Sequence, residues 1–191
     1  MPSTLPHWIH RIGLSYPDLI GFGEDLRLQG NSLLALHRDA AGTALGWERI
    51  APGRDGTLRY GYPSGLHKGC VRSWHLDPVP ARLLLACGPL PALCARALDG
   101  ARRDTIYVGL AGCWTAASAE TTANLIEAGV REVVLAFGAN QTGERSLAAA
   151  TAFFRGSGLG GQRMTRRTPA AGSWPAALRR MRCDSSEEVA A

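Results

Sequence analysis

The sequence predicts an α/β protein: a parallel sheet flanked by helices, preceded by a small antiparallel β-rich (α+β) subdomain. Three observations lead there. From residue 82 onward, short apolar runs alternate with stretches of helical character at the spacing of βαβ units. Before residue 80 the apolar runs are short and cut by Gly, Pro and Asp, as hairpin strands are. The chain has 191 residues, 46% of them apolar and 19% charged, enough for one well-buried domain or a domain with an extension, and too apolar for wholesale disorder.

In the first half, Tyr16 to Ile20 reads as a helical turn, and Leu33 to His37 and Ala44 to Ile50 as strands joined by the turn Arg38-Asp39-Ala40-Ala41-Gly42. Thr57 to Tyr62 is a third strand after the loop Pro52-Gly53-Arg54-Asp55-Gly56, and Ser64 to Gly69 is a basic loop. In the second half, Arg82 to Ala86 is a buried strand, and Pro91 to Leu98 a helix opened by proline. Thr105 to Gly109 is a strand, Ala116 to Ala128 a helix ended by Gly129, and Glu132 to Phe137 a strand. Thr142 to Phe154 is a helix, Gln162 to Thr165 a strand and Pro175 to Arg182 a last helix. The expected division is 1–80 for the small subdomain, 81–183 for the parallel sheet, and 184–191 as a polar, disordered tail.

The 21 basic and 16 acidic residues leave a net charge of +5, and Lys68 is the only lysine. The five cysteines include no C-x-x-C pair, and the histidines have no zinc spacing, which argues against a disulfide framework or a structural zinc. His7 and His10 read as a solvated pair. The apolar stretch Leu83 to Ala95 is broken by Pro89 and Pro91 and falls short of the ~18 residues of a membrane helix. With no signal-like apolar segment at the N-terminus, a soluble cytoplasmic protein with no membrane partner is expected.

Ligands of parallel sheets sit beyond the carboxyl ends of the strands. Those ends are Ala86-Cys87-Gly88, Gly109-Leu110-Ala111-Gly112 and Phe137-Gly138-Ala139-Asn140. The segments Leu83 to Leu93 and Val133 to Glu144, with Tyr107 to Trp114 between them and Pro169 to Trp174 after, resemble the successive motifs of a Toprim domain, the catalytic fold of primases and topoisomerases. Asn31 to Asp39, with Gly46-Trp47-Glu48, is similar to the small domain that precedes Toprim in plasmid and phage mobilisation and primase-like proteins. The resemblance implies a Toprim-like parallel sheet and covers roughly residues 11 to 180.

It also implies where acids should stand. The glutamate and aspartate of the first motif fall on Cys87 and Pro91, the two aspartates of the later motif on Gly138 and Asn140, and the last aspartate on Ser173. None of these can serve as a carboxylate ligand for Mg²⁺, which takes oxygen donors. The resemblance thus implies a catalytically inactive protein without cofactor, Mg²⁺ entering only if that reading fails through rearranged acids: Asp77, Asp99, Asp104, Glu120 or Glu144. Cys87 has two readings, a nucleophile whose thiolate is favoured by a helix N-terminus and a small buried filler. Gly138 to Gly143 is either a phosphate-binding turn or an ordinary connection.

From Arg155 to Arg182 the chain carries Arg155, Arg163, Arg166, Arg167, Arg179, Arg180 and Arg182 and no acid. This cluster follows a nucleic-acid backbone or simply decorates a solvated face; Lys68 and Arg72 are candidates to extend it. Trp47 and Trp174 are expected in the core, and Trp74, beside Arg72, is a candidate stacking residue. The expected function is a nucleic-acid-binding accessory factor of a mobile element, in replication, priming or mobilisation. The alternatives are a protein-interaction regulator of a relaxase, primase or helicase, and a divergent metal-dependent nuclease or primase.

Overall fold

The strand Arg82–Ala86 is buried at every residue, the pattern of a strand covered on both faces at the centre of a parallel sheet. The computed structural model describes residues 5–62, 69–73, 77, 79–158 and 162–188, with the side chains of the last helix described to Asp184. Residues 64–68 of the expected basic loop, Lys68 among them, and Trp74 lie outside the described residues.

Two sheets form. The first is wholly antiparallel and consists of β1 (Leu26–Gln29), β2 (Ser32–Arg38), β3 (Ala44–Pro52) and β4 (Leu58–Gly61), in that order. The second has the order β5-β7-β6-β8-β9, from β5 (Val71–Arg72), β6 (Arg82–Ala86), β7 (Thr105–Gly109), β8 (Glu132–Leu135) and β9 (Arg163–Arg166). Only β5 runs antiparallel in it. The helices are α1 (His7–Ile12), α2 (Tyr16–Ile20), α3 (Pro89–Leu98), α4 (Ala116–Glu127), α5 (Gln141–Gly156) and α6 (Trp174–Glu188).

Side chains of the second sheet alternate between two apolar layers. Leu84, Ala86, Tyr107 and Val134 face Leu90 and Leu93 of α3, Trp174 and Leu178 of α6, and Trp8 and Ile9 of α1. Leu83, Leu85, Ile106, Val108 and Val133 face Ile126 of α4 and Ala150 and Phe154 of α5. The small sheet shares the first layer through Leu26, Leu33, Ala35 and Ile50. It is also tied to the second sheet by backbone: Arg38 and Cys70 exchange both N–H···O bonds, each 2.9 Å. At the crossing of β7 and α3, Gly109 is required. A Cβ there would stand 2.6 Å from Pro89 Cα, too close for any side chain.

Helix α1 and strands β1 and β5 are among the elements that escaped the sequence reading. Helix α1 is a single amphipathic pass in which Trp8 and Ile9 are buried and His10 is exposed. Strand β1 and the two-residue β5 are too short to show a period. Strand β5 lies before residue 80 yet pairs with β7 in the second sheet. The segment after Cys183, expected as a disordered tail, continues α6 to Glu188, where an Arg180–Asp184 pair (3.9 Å) spans one helical turn.

One half-buried carboxylate joins the second sheet to its helices. Asp99, at the end of α3, accepts from Arg82 Nη1 of β6, from the Tyr107 hydroxyl of β7 (2.8 Å) and from Arg167 Nη1 beyond β9 (2.7 Å). The Arg167 guanidinium in turn lies 5.5 Å from the centre of the Trp174 ring. Burial pushes the Asp99 carboxyl up, but the bonds from Arg82 and Tyr107 and the charges of Arg82 and Arg167 outweigh it, and the pKa lies below the ordinary carboxylate value. A depressed folded-state pKa stabilises the fold above the unfolded carboxylate value of about 3.9, and this contribution is lost as pH falls through the folded value. Asp99→Asn is therefore expected to cost on the order of 2 kcal/mol at pH 7 and to flatten the acid limb of a stability–pH profile measured by urea denaturation. An unchanged midpoint at pH 7 would show that the partners hold without the charge.

Candidate functional site at the strand ends

The carboxyl ends of β6, β7 and β8 lie side by side, because the three strands are parallel and in register. The backbone laces them together. Leu110 N–H donates to the Ala86 carbonyl (2.9 Å), Gly112 N–H to the Cys87 carbonyl (2.7 Å) and Ala136 N–H to the Leu85 carbonyl (2.8 Å). Cys87 and Gly138 meet at this edge. Burial pushes the Cys87 thiol up, against a hydrogen bond from the Gly138 backbone, and the neighbouring Cys113 adds to the rise. Cys87 is therefore a thiol at neutral pH, which disfavours its reading as a dipole-stabilised thiolate nucleophile. The residue that opens α3 as its N-cap is Gly88, and Pro91 sits in the first turn of that helix.

The two polar residues at the site are helix caps. Asn140, the N-cap of α5, accepts from Gly143 N–H through Oδ1 at 2.8 Å. Ser173 accepts from Ala176 N–H through Oγ at 3.3 Å at the start of α6. Asn and Ser are among the best N-cap residues, since a short side-chain oxygen satisfies an orphan helical N–H. The Gly138–Gly143 turn is folded so tightly that a Cβ on Gly143 would fall 1.9 Å from the Gly138 carbonyl oxygen. The start of α6 is brought to this edge by Trp174, whose Nε1–H donates to the Ala136 carbonyl at 2.8 Å. Trp174 is buried, as expected.

Most of the acids considered for a rearranged site are already engaged. Asp99 has its three partners, Asp104 pairs with Arg102 (2.7 Å), Asp77 with Arg103 (3.7 Å) and Glu144 with Arg166. Glu120 is exposed on α4. Of these acids, Glu144, in the first turn of α5, is the one in a segment that leaves a strand end.

The C-terminal arginines lie on three elements and beyond β9. Residues of β9 alternate between sheet faces. Arg166 reaches Glu144 of α5, while Arg167 reaches Asp99 and Trp174 on the other side. Arg155 ends α5, Arg163 begins β9, and Arg179 and Arg180 are exposed on α6. Arg182 lies 3.9 Å from Asp18. Arg72, on β5, is at the opposite edge of the second sheet from β9. There it lines a cavity of about 450 Å³ with Glu24, Asp25 and Arg38.

Sequence reasoning missed a buried polar cluster where the small sheet meets the strand ends. His37 Nδ1–H donates to the Gly69 carbonyl (3.0 Å), and Nε2 stands 3.0 Å from Glu48 Oε2 and 3.1 Å from the Tyr62 hydroxyl. Both His37 and Glu48 are buried. Burial, reinforced by Glu48, pushes the Tyr62 hydroxyl far up, so it remains a donor. The only sequence signal was polar residues at inward positions of two adjacent strands. Trp47, expected in the core, is instead half-exposed on the outer face of the small sheet.

No family model matches this sequence, and none of the curated proteins compared with it matches. Among solved structures, the chain is similar to the primase fragment of the bacteriophage T7 primase-helicase protein, with a TM-score of 0.62 and 15% identity over 97% of this chain and 73% of that one. The fold is primase-like. It is also similar to the E. coli primase catalytic core (TM-score 0.53, 18% identity, 90% of this chain). A third similar structure is a DNA primase domain from Pseudomonas aeruginosa (TM-score 0.55, 17% identity, 92% of this chain). The chain spans 59% and 58% of those two bacterial chains. In this primase-like fold the strand-end edge described above is the carboxyl edge of the Toprim-like sheet, and helix capping organises its residues. Asn140→Ala is expected to lower stability by about 1 kcal/mol, and Asn140→Asp to retain it, in chemical denaturation. Gly143→Ala is expected to cost more than either, since a backbone carbonyl must move; equal midpoints for wild type and Gly143→Ala would refute the tight-turn geometry.

Proposed function

We propose that this chain is a primase-like, nucleic-acid-binding accessory protein of a mobile element, acting in replication, priming or mobilisation without metal-dependent chemistry of its own. The observation that carries this reading is the chemical character of the strand ends. The positions that resemble the acids of Toprim proteins hold Cys87, Gly138, Asn140 and Ser173, and two of these serve as helix caps. A hard cation such as Mg²⁺ needs oxygen ligands, usually carboxylates with phosphates and water. A protonated thiol, a glycine and a capping amide supply no such set. The same exchange removes the repulsion that carboxylates exert on a phosphate backbone. The net charge of +5 favours association with a polyanion.

The test is a titration of the purified protein with fluorescent single- and double-stranded DNA and RNA, at 50 and 200 mM salt, with and without Mg²⁺. The expected result is binding that is indifferent to Mg²⁺ and weakens by about tenfold or more at the higher salt. Absence of binding would move the function to a protein partner of the replication or mobilisation machinery. Binding followed by Mg²⁺-dependent cleavage or primer synthesis would restore the enzyme reading, with Glu144 the first acid to replace.

A further inference from the structure

The pairing register of the small sheet sorts its side chains into two unlike faces. Residues directly opposite one another project to the same side. Leu28, Leu33 and Ile50 share a row, and so do Leu26, Ala35 and Glu48; this is the side that carries the core. The other side carries the row Arg27, Leu34, Arg49, Gly61, with Trp47 opposite Leu36 and Arg59 opposite Ala51. Its charged strand residues include Arg27, Arg49 and Arg59, and no strand residue on it is acidic. Glu48, the acid between Trp47 and Arg49, points to the buried side.

Arg27, on the edge strand β1, and Arg49, on β3, are each held against the sheet. Arg27 holds its guanidinium carbon 4.8 Å from the centre of the Trp47 ring, an Arg–aromatic stack. Arg49 Nε–H donates to Ser32 Oγ at 2.8 Å, which fixes the guanidinium on the sheet and leaves its outer N–H groups to solvent. Neither has a carboxylate partner among the described residues, whereas Arg59 is held by Asp55 (2.9 Å). Unlike Arg167, these cations are not consumed by the fold.

We propose that this open face of β1–β4 binds single-stranded nucleic acid, with Arg27 and Arg49 on successive phosphates and the Trp47–Arg27 layer receiving an unpaired base. The face and a single strand are complementary. A polyanion meets cations fixed in place with no acidic strand residue beside them, and an aromatic plane offers the stacking by which single strands are held without sequence preference. An ordered sheet face with paired strands loses little entropy on binding. The proposal rests on the nucleic-acid reading above but locates the binding surface away from both the strand ends and the C-terminal arginines.

The experiment compares full-length wild type, R27S/R49S, Trp47→Leu and, as control, R155S/R179S/R180S, by anisotropy with labelled oligo-dT and oligo-U across a salt series. All the substituted arginines are exposed, so the arginine variants are expected to keep the wild-type thermal unfolding. R27S/R49S should weaken binding tenfold or more and reduce the slope of log affinity against log salt by about 1.4, that is ~0.7 for each phosphate no longer neutralised. Trp47→Leu should weaken single-strand binding roughly tenfold, with a smaller effect on duplex. The control should bind as wild type does. If the control loses affinity and R27S/R49S does not, the proposal is overturned while the nucleic-acid reading stands. If wild type binds no oligonucleotide, both fall. Binding of poly-glutamate that is lost in R27S/R49S, with no oligonucleotide binding, would give the face to an acidic protein partner and overturn the proposal.

Discussion

The Asp99 carboxylate is the constraint on which the second sheet and the helices of its first layer depend. It is the meeting point of β6, β7, α3 and the segment beyond β9, through Arg82, Tyr107 and Arg167. A carboxylate withdrawn from water needs its charge compensated, and here two guanidinium groups and a phenol do so at once. The compensation has consequences at a distance. Arg167 is drawn across the edge of the sheet and lies against Trp174, and Trp174 ties the start of α6 to the end of β8. The Toprim-like edge thus takes its shape partly from an ion pair at the far end of α3.

That edge shows what holds a strand-to-helix turn in place. The strand-to-helix turns of a parallel sheet need a group to satisfy the first helical N–H groups. Asn140 and Ser173 meet that need as well as an aspartate does, without a charge. The tight approach of Gly143 to Gly138, and of Gly109 to Pro89, keeps the backbone of the turns in place whatever side chains surround them.

The two sheets divide labour. The parallel sheet is covered on both faces and supplies the rigid frame. The antiparallel sheet is covered on one face only, the arrangement such sheets commonly adopt, and so has a face to offer. Its buried side is completed by the His37–Glu48–Tyr62 cluster and by the double backbone bond between Arg38 and Cys70, which hold it to the frame. Arginine plays both parts in this molecule. Arg82, Arg38 and Arg167 are internal clamps, while Arg27 and Arg49 meet no carboxylate among the described residues and keep their charge for the surface.

Most of the element order was legible in the sequence. Val, Leu and Ile runs between Gly and Pro punctuation locate β2, β3, β6, β7 and β8, and Gly129, with φ at 118°, ends α4 as its position suggested. The nature of the strand-end residues was legible too, because strand ends follow from the alternation of elements alone. Strands β1 and β5 were not, since four and two residues carry no readable period and form only because a partner strand is waiting. The fate of each arginine was likewise beyond the sequence. A run of like charges between 155 and 182 looks like one patch in a string, but β9 alternates its side chains between two faces and α6 turns others away. Without β1 there was no register to set Arg27 beside Trp47 and Arg49. Sequence determines which elements form from local periodicity and turn chemistry; which charges are paired and which stay open depends on residues far apart in the chain, and only tertiary packing decides it.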